Sequence, residues 1–326
     1  MGINSKKLTI LNILKKNRDK FISGVEISRR LNVSRTTVSN YIKDLKSDGY
    51  IIEAITNKGY SLRKTPDKLI PEEIISGLKT KKIGHSIEYY QQVDSTNNVA
   101  KKLAASGVEE GTLVLAEKQN EGRGRRGRNW HSPSGKGLWF SIILKPDFSP
   151  EKAPLLTVIA SLTLGEVFES YQISPRIKWP NDIYLQGKKV AGVLSEISAD
   201  MDSVFYAVIG MGINVNQQSF PGQLQEKAVS LKQIRDKKTN RVALLEDILG
   251  QFEKNYIQLC SSNSKKIINR WKKALGIMGE VLTVEKNGET YQGQVIDISP
   301  RGALVIEDNQ GQSHSFWAGE ASLDGE

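Results

Sequence analysis

The sequence predicts an α+β protein in three parts: an N-terminal winged helix-turn-helix, a central mixed-sheet domain and a small C-terminal β-barrel. Three observations predict it. Residues 1–68 hold 15 lysines and arginines against 6 acids, whereas the other 258 residues hold 31 against 30, so the net charge of +10 sits almost wholly in the first fifth. Strand-like and helix-like runs then alternate over residues 73–273, as in a sheet with helices packed on it. Residues 274–326 break into short alternating strands with regular turns, the pattern of an SH3-sized barrel. Two prolines among charges mark a linker at 66–72, which leaves residues 1–65 as the first domain.

In the first domain, residues 5–17 place Leu8, Leu11 and Leu14 on one helical face, and residues 25–31 form a second short helix. Ser34 is an N-cap for a third helix, in which Val38, Ile42 and Leu45 recur at i, i+4 and i+7 as a buried stripe. Arg35, Thr36, Ser39, Asn40, Lys43 and Lys46 then face outward, residue types that contact phosphates and base edges. A hairpin around TNKG, with Lys58 at its tip, follows as a wing. Helix, polar recognition helix, wing and charge together read as a DNA-binding module, against the alternative of a three-helix packing unit.

In the central domain EYYQQV is a strand, and DSTN is a polar turn into a helix that starts near Ser95. GTLVLAEKQ and GLWFSIILKP are strands, and APLLTVIASLTLGEVFESY is an apolar helix. PRIKWPND leads into a hairpin around Gln186-Gly187, FYAVIGMGINVN is a strand with a glycine-rich end, and RVALLEDILGQFEKNYIQL is an amphipathic helix. The barrel turns fall at Asn287-Gly288, Ser299–Gly302 and Asn309–Gly311.

Composition narrows the function classes. With 38% hydrophobic and 25% charged residues the chain has ordinary globular make-up, and no apolar run approaches the roughly 20 residues of a membrane helix. The first residues show no apolar stretch with a small-residue cleavage site. Cys260 stands alone, which fits a reducing compartment, and a cytoplasmic location away from membranes is expected. One cysteine and the scattered His85, His131 and His314 offer no zinc set, so no structural zinc site is expected. No Ser-His-Asp or Cys-His set is visible, which disfavours covalent hydrolase chemistry.

The sharpest motif is Gly122–Trp130, GRGRRGRNW, with four arginines and three glycines within seven residues. Glycine lets a backbone approach a ligand, and arginine supplies fixed, permanently charged forks for anionic oxygens. GRGRRG matches the dinucleotide pattern G-x-G-x-x-G, but a turn and a strand follow instead of a helix. A phosphate-binding P-loop would need Lys and Ser or Thr where Arg128 and Asn129 stand. An anion-clasping loop, mobile until its ligand arrives, is the favoured reading, with a flexible basic surface loop as its rival.

The other motifs each admit a bland alternative. Lys189, beside Ala191 and Gly192, could counter a carboxylate and a phosphate together, or be a solvated edge-strand lysine. Trp179-Pro180-Asn181-Asp182 could place Asp182 on Mg²⁺ or an amine, or be an Asx-type turn. Gly210–Asn214 could admit an adenine edge, or be a tightly packed strand end. Asp94–Asn97 could offer hydroxyls and an amide to a ligand, or cap a helix.

Their joint order says more than any one of them. DSTN, EKQNEGRGRRGRNW, KWPND, GKKVAG and GMGIN, behind a winged helix and ahead of a small barrel, resemble the bifunctional biotin–protein ligase and biotin operon repressor family across essentially the whole chain. The resemblance implies a class II synthetase-like central fold that adenylates biotin with ATP and Mg²⁺, releasing pyrophosphate. Biotin then passes to one lysine of the biotin carboxyl carrier protein of acetyl-CoA carboxylase. The resemblance places Ser95, Thr96, Asn97 and Gln119 on biotin, and Arg123, Gly124 and Arg125 in the loop over biotin and adenylate. It puts Lys189 on the activated carboxyl, Arg128, Trp130 and Asn214 at the nucleotide, and Asp182 near the transfer site, with Lys189, Arg125 and Asp182 catalytic. It also implies an adenylate-bound homodimer on the biotin operator, read by Ser34, Arg35, Thr36, Thr37, Ser39, Asn40, Lys43 and Lys58. One departure is Asp324, where a basic residue is expected after the GE-x-SL run, and an ATP contact from the third domain depends on that position.

Overall fold

The computed structural model describes residues 5–261, 264–286, 288–317 and 319–323. The chain divides into two compact units, one running to Leu78 and taking in Asn240–Ala243, the other comprising Lys79–Thr239 and the rest.

The first unit contains α1 (Ser5–Lys16), α2 (Gly24–Leu31), α3 (Arg35–Ser47), the hairpin β1 (Ile51–Ile55) and β2 (Gly59–Lys64), and α4 (Pro71–Gly77). Ser34 caps α3, its hydroxyl accepting the Thr37 N–H at 3.0 Å, and Val38, Ile42 and Leu45 are buried as the spacing predicts. The buried face of α1 is broader than the leucine spacing suggests. Ile10, Leu11, Ile13 and Leu14 are buried while Leu8 is half-buried, because α2, α3 and α4 all pack on this helix. The unit also runs past the 66–72 segment read as linker. Leu69, Ile70 and Ile74 are buried, and the nearly buried carboxylate of Glu73 accepts the Tyr50 hydroxyl at 2.7 Å and pairs with Lys15 at 2.9 Å. Burial, with Glu73 beside it, pushes the Tyr50 hydroxyl far above the usual phenol range.

The second unit is built on a seven-stranded mixed sheet. Its strands are β3 (Ile87–Tyr90), β4 (Leu113–Ala116), β5 (Gly137–Leu144), β6 (Arg176–Lys178), β7 (Asp182–Leu185), β8 (Lys188–Ala199) and β9 (Val204–Asn214). The spatial order is β3-β4-β5-β9-β8-β7-β6, with β3 and β4 parallel and every other pair antiparallel. Gln186 and Gly187, both with positive φ, make the two-residue β7–β8 turn, which suits an Asn/Gly-type hairpin geometry. α5 (Thr96–Ala105) packs on one face through Ala100 and Ala104 against Val114, Ile143 and Val208. α6 (Pro154–Ser170) covers the opposite face, where Thr157 meets Ser195 at 2.9 Å. Residues Pro150–Ser170 are apolar enough to cross a membrane by composition, yet 72% of that helix window is buried in the fold, as a core helix requires.

Beyond the sheet lie α7 (Leu224–Lys227), α8 (Leu231–Arg235), α9 (Arg241–Cys260) and α10 (Ser264–Leu275). Glu253 on α9 accepts the backbone N–H groups of Lys81, Lys82 and Ile83 at 2.7, 2.8 and 2.9 Å. The last strands, β10 (Val281–Lys286), β11 (Glu289–Ile298), β12 (Leu304–Glu307), β13 (Ser313–Phe316) and β14 (Glu320–Leu323), form one antiparallel sheet in the order β13-β12-β11-β10-β14. It joins the rest of the unit where Trp179 donates to Gly302 O at 3.4 Å, where Arg301 pairs with Glu151 at 2.5 Å, and through the Lys272–Asp297 ion pair. The Asn287 half of one expected turn, and Asp324, lie outside the described residues.

Candidate functional site

Glycine opens the site. Asp182, Gly192, Gly212 and Trp139 are successive neighbours across β7, β8, β9 and β5, and the adjacent row runs Leu194, Gly210, Ser141. Three of these positions lack a side chain on the same face. Space is short above them: a Cβ on Gly212 would meet Trp130 Nε1 at 2.5 Å, and one on Gly210 would collide with the Asn97 amide. The bare rows floor a cavity of about 400 Å³, within the range of small-molecule sites.

A bulge aims the lysine. Ile183 pairs with Ala191 while Tyr184 pairs with Lys189, so Val190 is the extra residue. Regular alternation would put Lys189 on the α6 face with Ala191. The inserted residue shifts the parity and turns Lys189 onto the cavity face beside Gly192. There its Nζ lies 2.6 Å from Asp182 Oδ2 and 5.2 Å from the centre of the Trp130 ring. A Cβ on Gly192 would lie 3.2 Å from both Asp182 Oδ1 and Lys189 Cε.

The arginine–glycine loop closes the cavity from one side. Its backbone is tied back on itself: Trp130 N donates to Gly122 O and Gly124 N to Arg128 O, each at 2.7 Å. A single 3-10 turn, Arg125–Gly127, forms its tip. The guanidinium groups relieve their repulsion by spreading. Arg123 lies 3.6 Å from Glu121, whereas Arg125 turns inward to Asn181 Oδ1 at 3.1 Å and Gly319 O at 3.4 Å. Backbone hydrogen bonds tie the loop back on itself while its guanidinium groups diverge.

At the deep end, Ser95, Thr96 and Asn97 are almost fully buried. Ser95 stands at the N-cap of α5 but makes no capping bond, so simple capping does not account for it. Gln119 Oε1 accepts the Thr96 N–H at 2.9 Å and lies 3.1 Å from the Thr96 hydroxyl, while Gln119 Nε2 donates to Ser132 Oγ at 2.9 Å. Asn214 closes the far end, its Oδ1 accepting from Gln217 Nε2 at 2.9 Å. Two buried side-chain atoms on the wall have no partner, Trp130 Nε1, a donor, and Asp182 Oδ1, an acceptor. Native proteins leave few such atoms, and both fit a polar ligand in this space. Burial holds the His131 imidazole below its usual range.

The structure thus gathers every ligase-site candidate on one cavity: Ser95, Thr96, Asn97, Gln119, Arg123, Gly124, Arg125, Arg128, Trp130, Asp182, Lys189 and Asn214 all line it. The DNA-reading candidates lie in the other unit. Ser34, Arg35, Thr36, Asn40, Lys43 and Lys58 are exposed, whereas Thr37 and Ser39 are half-buried and Ser34 and Thr37 are engaged with each other. Sequence reasoning missed Asn181 on the wall, and Ser132 and Ser141, which hydrogen-bond wall residues; the third domain's share of the wall, weighed there only at Asp324, runs through Glu285, Gly319, Ala321 and Ser322. The signal for Asn181 was its place in WPND. The others carry none.

Three family models match the chain: HTH domain over residues 6–61, Biotin/lipoate A/B protein ligase family over 89–214, and Biotin protein ligase C terminal domain over 279–324. A bifunctional ligase/repressor BirA of Bacillus subtilis (strain 168) is 42% identical over 297 residues, covering 90% of this chain and 91% of that protein. Its counterpart of Escherichia coli (strain K12) is 28% identical over 313 residues, covering 93% of each. Among solved structures, a biotin protein ligase from Aquifex aeolicus in complex with biotin and ATP superposes with a TM-score of 0.64 at 30% identity, covering 73% of this chain and 98% of that one.

Proposed function

The chain belongs to the bifunctional biotin–protein ligase and repressor family, and from that membership we propose how its cavity works. It is a biotin–protein ligase that uses biotin and ATP and carries a DNA-binding helix-turn-helix. In the proposed chemistry a biotin carboxylate oxygen attacks the α-phosphorus of ATP and pyrophosphate leaves, giving the mixed anhydride biotinyl-5′-AMP. The ε-amine of one lysine on the biotin carboxyl carrier protein of acetyl-CoA carboxylase then attacks the acyl carbon, and AMP leaves.

One observation carries this reading: Lys189 and Arg125 stand on one glycine-floored cavity with Asp182 beside them. A carboxylate and a triphosphate repel, so their approach needs positive charge placed where negative charge develops. Lys189 supplies a compact ammonium and Arg125 a fork. Thr96, Asn97 and Gln119 hold the ring end of biotin, and Trp130 and Asn214 bound the nucleotide. Asp182 orients the incoming amine and takes its proton.

Among the described residues no cluster of three His, Cys, Asp or Glu side chains could hold a metal ion. Mg²⁺ bound with ATP would neutralise phosphate charge, and the buried Asp182 Oδ1, which has no hydrogen-bond partner, is the protein oxygen that would hold it. The glycine-floored antiparallel strands support a class II synthetase-like centre, and the five-stranded terminal sheet supports an SH3-like module. Adenylate bound across the arginine loop favours a homodimer that sets two recognition helices on the biotin operator. The deciding experiment incubates the protein with biotin, ATP, Mg²⁺ and a carrier domain. Pyrophosphate release with one biotin added to one carrier lysine by mass spectrometry is expected. Pyrophosphate without carrier modification would overturn the transfer step, and none at all would leave a biotin sensor.

A further inference from the structure

Behind the cavity wall, two charged residues control a row of neutral ones. Asn97 Nδ2 lies 2.8 Å from Glu196 Oε2 and 3.3 Å from Leu194 O. Both are acceptors, so the amide nitrogen must face them and Oδ1 must point the other way. Lys101, one turn after Asn97 on α5, holds the second carboxylate oxygen of Glu196 at 2.6 Å. The freed Asn97 Oδ1 sits 2.7 Å from Ser141 Oγ, which is also 2.8 Å from Thr96 Oγ1. One hydroxyl proton cannot serve both. Asn97 Oδ1 can only accept, so it draws the Ser141 proton away from Thr96 Oγ1, the other acceptor that hydroxyl faces. The Thr96 hydroxyl donates to Gln119 Oε1, and with the Ser141 proton drawn to Asn97 its own lone pairs are left for the cavity. Gly210 permits this geometry, since any side chain there would strike the Asn97 amide.

We propose that Glu196, held by Lys101, is a positioning residue that sets the donor–acceptor polarity of the Thr96–Asn97 wall and so selects an acid whose ring carries N–H groups. The inference rests on the ligase reading above and extends it to two residues that do not line the cavity. Without the carboxylate the Asn97 amide can flip, the Ser141 proton can turn, and the wall no longer presents a fixed acceptor to a cyclic urea. Leaving such a buried group wrongly paired costs selectivity against ligands that lack the matching group.

The test is steady-state pyrophosphate release by the full chain, with biotin or with lipoate, whose dithiolane ring has no N–H. E196A is expected to raise KM for biotin about tenfold to hundredfold, with kcat within about twofold and KM for ATP unchanged. The preference for biotin over lipoate should fall by a similar factor. E196Q, which keeps an acceptor but loses the negative charge that pairs with Lys101, should fall between E196A and wild type. Should E196A fold poorly, the partly exposed lysine decides: K101M should raise KM for biotin and K101R should restore it. An unchanged KM for biotin in E196A and K101M would overturn the proposal. So would a loss of kcat with both KM values moved alike, which is what a merely structural role predicts. A wild-type chain that releases no pyrophosphate with biotin would sink the ligase reading instead.

Discussion

Around Lys189 one ammonium meets the carboxylate of Asp182, the face of Trp130 and the bare backbone of Gly192. Truncating Lys189 removes the charge while leaving Asp182 wholly unpaired. K189A should therefore slow adenylation by about 100-fold or more, the usual scale for one lost stabiliser of developing charge. A single-turnover rate within about threefold of wild type would reject that role. Arg125 works differently, because it bridges Asn181 and the Gly319 carbonyl from the edge of the loop. R125G should speed release of the bound adenylate more than it slows its formation, since one charge-assisted clamp is lost. Trapping the released adenylate in a chase with unlabelled biotin measures this, and an unaltered release rate counts against it.

Strands β8 and β9 make the cavity by what they omit. Gly212 would place a Cβ 2.5 Å from Trp130 Nε1, a rigid ring, whereas Gly192 would place one 3.2 Å from the flexible end of Lys189. G212A should then raise KM for ATP by tenfold or so through a displaced Trp130, and G192A should do so by less than about threefold, on the scale of 1–2 kcal/mol for moving a packed group. Equal effects of the two substitutions, measured by pyrophosphate release, would show that the floor is not read through Trp130. These strands also show where sequence reading stops. Lys189 and Asp182 were legible only through the joint order of the motifs, since alone each reads equally as a solvated strand lysine or an Asx-type turn, and the arginine loop was legible through its unusual composition. The bulge at Val190 was not legible, because alternation alone sends Lys189 to the wrong face. Ser132 and Ser141 were not, because a serine in a strand or turn carries no chemistry until its neighbours are known. α4 escaped because its burial depends on Glu73 meeting Tyr50 and Lys15, contacts between residues far apart in sequence.

At the scale of the molecule, one carboxylate fastens the start of the ligase unit. Burial tends to raise the Glu253 pKa, but three backbone N–H groups prefer its anion and win, so its folded value lies below the ordinary one. A carboxylate depressed on folding stabilises above its unfolded pKa of about 4.3 and loses that contribution as pH falls through the folded value. E253Q should lower Tm at pH 7 by about 5–10 °C, equivalent to roughly 2–3 kcal/mol for charged hydrogen bonds lost from a nearly buried site. The gap from wild type should narrow below about pH 4. A pH-independent gap in calorimetry would mean that the side chain's shape matters and its charge does not.

The same division of the chain separates DNA affinity from catalysis. Nearly all the excess positive charge lies in the first unit, where Arg35 and Lys43 are exposed on α3, while the glycine-floored cavity is lined wholly by residues of the second. Each cation that neutralises a phosphate releases condensed counterions, so the plot of log Kd against log salt steepens by about 0.9 per contact. Replacing Arg35 and Lys43 together by alanine should therefore reduce that slope by about 2 and weaken binding at every sequence tested. A loss confined to one sequence would instead mark the two residues as base readers. Adenylation by the double variant should match wild type, because no cavity residue changes. A slope that stays put would place the phosphate contacts elsewhere on the winged helix, at the Lys58 tip or along α2. A fall in adenylation would mean that the recognition helix and the cavity are coupled even without DNA.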